Sequence, residues 1–118
     1  MKYVCLCYDE EKQLKAMPKE EWDGVVREVY AYNEELREKG YLIAAQALDS
    51  VETAATVRVR NGKLSATDGP FAETKEQLGG FFLIETRDLN EAIQVASRLP
   101  GARLGCIEVR PVRELANA

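Results

Sequence analysis

Two short segments of this chain are apolar on both of their faces, and that restricts what it can fold into. In residues 2–8, Tyr3, Cys5 and Cys7 fall on one side of an extended strand, and Val4, Leu6 and Tyr8 on the other. In residues 80–86, Phe81, Phe82, Leu83 and Ile84 follow one another without a polar interruption. Strands of this kind belong in the middle of a sheet, with both faces covered.

The intervening chain supplies the covers. Trp22, Val25, Val26, Val29, Tyr32 and Leu36 recur at spacings of three and four and predict a helix over residues 18–39. Asp23 with Arg27 and Glu35 with Lys39 form i,i+4 pairs on its wet side. Gly40 ends it, whereas Met17 and Pro18 offer no capping oxygen at its start. Residues 41–48 read as a second strand. Asp88-Leu89-Asn90-Glu91 is a capping box, in which each side chain bonds the other's backbone N–H. It opens a helix whose expected buried stripe is Leu89, Ala92, Ile93, Ala96 and Leu99, and which Pro100-Gly101 terminates. A last strand is expected over residues 104–110.

The sharpest local signal is Asn61-Gly62, the dipeptide of a type I′ hairpin. With Arg60 opposite Lys63, Val59 meets Leu64 and Val57 meets Ala66, so the four apolar residues share one face and Arg58 and Ser65 the other. A half-exposed hairpin follows. The order of elements is then β-α-β, a hairpin, β-α-β: an α+β, ferredoxin-like split βαβ with an inserted hairpin, forming one domain over residues 1–118. Two helices cover only one face of such a sheet. The simplest cover for the other is a second copy of the chain, so a homodimer is expected.

Composition narrows the function. Of 118 residues, 46% are hydrophobic and 31% charged, an ordinary globular balance. A net charge of −4 opposes a broad nucleic-acid surface, so no direct nucleic-acid partner is expected. No apolar run approaches the ~20 residues that span a bilayer, and the first residues do not read as a secretory signal. The expectation is a soluble, cytoplasmic protein without a membrane partner. There is no histidine, which excludes Ser-His-Asp and Cys-His catalysis and a mixed zinc site. Neither a metal nor a cofactor is expected. Cys5, Cys7 and Cys106 are an odd set and read as reduced, buried, slow-reacting thiols on core strands.

Between the hairpin and the strand at 80–86 lies a dense run of turn-forming and charged residues, Thr67 to Glu76, closed by Gly79-Gly80. Ordered loops of this length are commonly functional. Asp68 reads equally as a turn residue bonding its own backbone and as a catalytic or ligand-binding carboxylate. Pro70 stiffens the loop, Phe71 anchors it in the core or lines a pocket, and Lys75 is the candidate partner for an anion. Glu73 and Glu76 belong to a solvated face. No helix with Lys-Ser/Thr follows Gly79-Gly80, so this is no phosphate-binding loop. The pair fits a close backbone approach where a strand begins.

The stretch Thr67-Asp68-Gly69-Pro70-Phe71-Ala72-Glu73-Thr74-Lys75-Glu76-Gln77-Leu78-Gly79-Gly80-Phe81 resembles the signature of the DGPF-type proteins of the YCII-related family. The likeness extends from Lys2-Tyr3 to Glu108-Val109-Arg110-Pro111. It implies a dimeric α+β barrel of two ferredoxin-like sheets packed face to face. Proteins similar to the founding branch carry a His–Asp pair in a cleft, and that aspartate falls on Asp68. The histidine of the pattern His-Leu-x-x-Leu-x-x-x-Gly falls on Tyr32, in the run from Tyr32 to Gly40. A phenol with a pKa of about 10 does not replace an imidazole as general base at neutral pH, so the pair's chemistry does not carry over. Three readings stay open. The favoured one is a small-molecule-binding homodimer with a cleft between the Asp68 loop and the Tyr32 helix, lined by Tyr32, Pro70, Phe71 and Lys75. The second is a hydrolase- or lyase-type enzyme in which Asp68 acts alone as acid and base. The third is a protein-interaction module in transcription, implied by the association of DGPF-type proteins with alternative sigma factors.

Overall fold

A computed structural model describes residues 1–115 of the chain. Its elements are β1 (Lys2–Asp9), α1 (Glu11–Ala16), α2 (Lys19–Glu38), β2 (Leu42–Ala47), β3 (Ala55–Arg60), β4 (Lys63–Asp68), β5 (Gln77–Glu85), α3 (Leu89–Ser97), α4 (Gly101–Leu104) and β6 (Cys106–Pro111), with a single 3-10 turn at Val51–Thr53. Four strands form one antiparallel sheet in the order β2-β5-β1-β6, and β3 pairs with β4 in a separate hairpin. The two strands that are apolar on both faces are therefore the central pair, and the ferredoxin-like expectation holds.

Register assigns the faces. Tyr3 lies opposite Ile84, Cys5 opposite Phe82 and Val109, and Cys7 opposite Gly80 and Ile107, all on the helical side. Tyr3, Cys5 and Ile84 meet Tyr32 and Leu36 from α2, and Ala92, Val95, Ala96 and Leu99 from α3 and its C-terminal turn. On the other face Val4 pairs with Leu83 and Leu6 with Phe81, and no helix among the described residues covers them.

The hairpin register is the expected one, with Val59 opposite Leu64 and Val57 opposite Ala66. Asn61 at φ 52° and Gly62 at φ 75° provide the two left-handed residues of the turn. Its apolar face is not half-buried, however: Val57, Val59 and Leu64 are 62%, 59% and 72% exposed. Other boundaries shift as well. Thr67 and Asp68 end β4, and β5 already begins at Gln77, so the connecting loop is residues 69–76. Gly80 sits within the strand, where an added Cβ would stand 2.8 Å from the Gln46 carbonyl oxygen, the close approach expected of the glycine pair.

Both helical stripes need correction. In α3 the buried residues are Ala92, Val95 and Ala96, followed by Leu99, while Leu89 and Ile93 lie on an exposed flank. Positions 92, 95, 96 and 99 make the cleaner run of i, i+3, i+4, i+7. The Asp88 carboxylate accepts the Glu91 N–H at 2.9 Å as expected. Glu91 does not reciprocate; it accepts the Arg87 N–H at 2.9 Å instead. In α2 only Tyr32 and Leu36 of the six stripe residues are buried.

Candidate functional site

The unburied half of the α2 stripe has a local cause. Beneath its second half the sheet presents Tyr3, Phe82 and Ile84. Beneath its first half it presents Ala45, Ala47, Gly79 and Gly80, which have little or no side chain. The register of β1 with β5 also shifts between Cys7 and Tyr8, which leaves Gly79 as the extra residue of a bulge. Val25, Val26 and Val29 therefore face empty space rather than side chains. The result is a cavity of about 530 Å³, walled by these valines with Trp22, Phe82, Leu99 and Leu104. A volume of this size suits a small organic ligand.

Cys7, Asp9 and Asn33 bring polar groups into that apolar wall, beside Tyr30 and Gln46. Asp9 is the last residue of β1, at the mouth. Its carboxyl is pushed above the usual range, first by burial and then by the negative charges of Glu11 and Glu76. Burial, reinforced by the Cys5 thiol, Asp9 and Cys106, pushes the Cys7 thiol up to about 12. Burial also carries Cys5 to about 11. Both are protonated at neutral pH and are poor nucleophiles there. Asn33 carries a buried side-chain oxygen without a hydrogen-bond partner.

The rim is built by α1, which the sequence reading did not anticipate. The Glu11 carboxylate accepts the Ser50 hydroxyl and the Val51 N–H, each at 2.9 Å, and the Glu11 N–H donates to Gln77 Oε1 at 3.1 Å. Those bonds tie α1 to the chain beyond β2 and to the start of β5. They bound a second hollow of about 560 Å³ that shares Asp9, Leu14, Trp22, Ala47 and Gly79 with the first. Together they form one groove from the α2–sheet interior out along α1.

The residues singled out from the sequence lie elsewhere in the chain. Tyr32 is in the core; its hydroxyl donates to the Val95 carbonyl at 2.7 Å, and the Arg98 guanidinium stands 4.6 Å from its ring centre. Two hydrogen bonds from Arg98 and one from Lys39 hold the Glu35 carboxyl down at about 2. Burial is the main reason the Tyr32 phenol is raised, so it stays protonated. Asp68 is exposed at the end of β4. The turn after it is pinned by Gly69 N–H on the Ala54 carbonyl at 2.7 Å and by the Thr56 hydroxyl on the Gly69 carbonyl at 2.8 Å. Pro70 is half-buried, Lys75 is exposed, and Phe71 is 79% exposed rather than anchored in the core. None of these five lines the cavity. Sequence reading passed over Asp9, Asn33 and the role of Trp22. The available signal was the small residues Ala45, Ala47, Gly79 and Gly80, which cannot fill the space under a long helix.

Cys106 is exposed, a correction to the expectation of three core thiols, and all three cysteines are free. Among the described residues, no group of three His, Cys, Asp or Glu side chains is placed to hold a metal ion. No helix among them is long and apolar enough to cross a membrane.

An antiparallel ferredoxin-like sheet with an inserted hairpin, and helices on one face, defines an α+β protein. The chain matches the YCII-related domain family over residues 1–116 and belongs to that family. It is 42% identical over 114 residues to R00369 of Rhizobium meliloti (strain 1021), described as an uncharacterized protein, across 95% of this chain and 92% of that one.

Proposed function

We propose that the protein is a small-molecule-binding homodimer in which each protomer's ligand occupies the cavity beneath α2. The observation that carries this reading is the preformed space itself: about 530 Å³, mostly apolar-walled, with Cys7, Asp9 and Asn33 among its few polar residues. The C-terminal end of the Asp68 loop belongs to the rim, since the Glu76 charge acts on Asp9 and Gln77 holds α1. Protonated thiols and the lack of histidine favour binding over nucleophilic catalysis. A second copy is the natural cover for the open face carrying Val4, Leu6, Phe81 and Leu83.

The test is a fragment titration followed by amide resonances. Fragments that bind are expected to move the signals of Val26, Val29, Asn33, Gly79 and Gly101. Val29→Phe, which fills the space from α2, is expected to abolish those shifts while the fold persists by circular dichroism. Hits confined to the loop at residues 69–76, or shifts indifferent to Val29→Phe, would exclude the cavity as the site.

A further inference from the structure

The inner part of the groove carries one charged side chain, Asp9, and the outer part sets three carboxylates, Asp9, Glu11 and Asp49, against Lys15 and Lys19. Asp9 stands at the junction of its inner and outer parts. Every influence on its carboxyl, from burial, from Glu11 on α1 and from Glu76 before β5, opposes ionisation. Glu11 and Asp49 line the outer part with it. The two lysines there are already engaged: Lys19 Nζ lies 2.9 Å from Asp23, and Lys15 Nζ 3.9 Å from Glu52. The inner wall adds the Asn33 amide, whose oxygen is buried without a donor. Asparagine χ2 is a broad torsion, so that oxygen can turn to meet an N–H in the cavity. At the Asp9 junction the nearest charges are thus carboxylates, and the inner walls are apolar.

We propose that the groove binds an organic cation, an amine or amidine on an apolar body, with its charged nitrogen at Asp9 and its body among Trp22, Val26, Val29 and Phe82. This rests on the cavity being the ligand site. An anion would meet Asp9, Glu11 and Asp49 with no free lysine to offset them. A neutral ligand would bury Asp9 further without a partner, which is costly for a carboxylate. A bare metal ion lacks its ligand set, since no three suitable side chains converge among the described residues. An organic cation satisfies the acceptors, neutralises the mouth and still gains from the apolar wall. The Trp22 indole lines both parts of the groove, and an aromatic ring attracts a cation over its face.

Trp22 is the sole tryptophan of the chain, so its fluorescence reports on the groove directly. Three probes of one shape separate the possibilities at neutral pH: benzylammonium, benzyl alcohol and benzoate. Benzylammonium is expected to saturate the Trp22 signal with a Kd about tenfold or more below that of benzyl alcohol, which is roughly one charge-assisted contact. Benzoate is expected not to saturate. Asp9→Asn should remove the advantage of the amine and leave the alcohol unchanged, with the fold verified by thermal melting. Benzyl alcohol or benzoate binding as well as the amine, or an amine midpoint unmoved in Asp9→Asn, overturns the cation assignment and leaves the cavity as a ligand site. Silence of Trp22 toward all three probes overturns both.

Discussion

At the scale of single residues, Asp9 and the cysteines show how one apolar strand produces opposite chemistries. A carboxylate at the end of β1 keeps a charge that its surroundings resist. Because the folded-state pKa is raised, the folded chain holds the Asp9 proton more tightly than the unfolded chain does. Ionised Asp9 therefore works against folding at neutral pH, and that cost fades as pH falls through the folded-state value. Asp9→Asn is expected to raise Tm at pH 7, with the gap to wild type closing through the acidic carboxylate range. A lower Tm for the variant at pH 7 would mean that the charge has a partner after all. The thiols nearby respond to burial in the same direction, and for them the result is inertness. With Cys7 near 12 and Cys5 near 11, both are almost wholly protonated at pH 8. Iodoacetamide without denaturant is expected to modify exposed Cys106 first, leaving Cys5 and Cys7 intact by peptide mass mapping; fast modification of all three would contradict the burial. Residue types and strand position made Cys5 and Cys7 legible from the sequence. Asp9 was not, because a carboxylate after an apolar strand looks like any strand end until the small residues beside it are seen to leave a void.

At the scale of elements, what could be read from the sequence was whatever local chemistry determines by itself. Asn61-Gly62 set the hairpin turn, and the turn set its register residue by residue. The long α2 was fixed by twenty residues of periodic pattern. The six residues of α1 and the four of α4 are too short for a period to emerge, and both went unread. Yet these two pieces frame the groove, and α4 shows how closely. Gly105 follows it at φ −154° and ψ −120°, where an added Cβ would collide with the Tyr8 carbonyl oxygen, a backbone atom that cannot step aside. Gly101, at its start, would place a Cβ in ordinary contact with Ile107 and Cys7, 3.7 and 3.9 Å away. Gly105→Ala is expected to destabilise by about 3 kcal/mol, as overpacking against a fixed neighbour does. Gly101→Ala is expected to stabilise by about 0.5 kcal/mol through the reduced freedom of the unfolded chain. Urea unfolding of the pair is the measurement, and equal effects would show that α4 does not pack as described.

At the scale of the whole molecule, the protomer is too open for its mass. A folded monomer of this size exposes roughly 6,400 Å², whereas this chain exposes 8594 Å². A compact 118-residue domain has a radius of gyration of about 13.5 Å, whereas this one has 16.3 Å and extends 47 × 46 × 19 Å. The excess area has identifiable sources. The hairpin, whose valines and Leu64 face outward, is the plainest of them; the sheet face with Val4, Leu6, Phe81 and Leu83 is half-buried and apolar. Excess of about 2,000 Å² per chain falls in the range that obligate dimers bury. The paired apolar rows on β1 and β5 had pointed to a second cover from the sequence, but the bare hairpin had not, since alternation alone does not say whether a face finds a neighbour. Light scattering at micromolar concentration is expected to give twice the 13.2 kDa chain mass. Leu83→Asp puts a charge in the middle of the open face, remote from the helical core, and is expected to yield a monomer that keeps its helical circular dichroism. A wild-type monomer would remove the homodimer. A Leu83→Asp dimer would move the interface off the sheet, with the exposed hairpin row of Val57, Val59 and Leu64 as the next candidate.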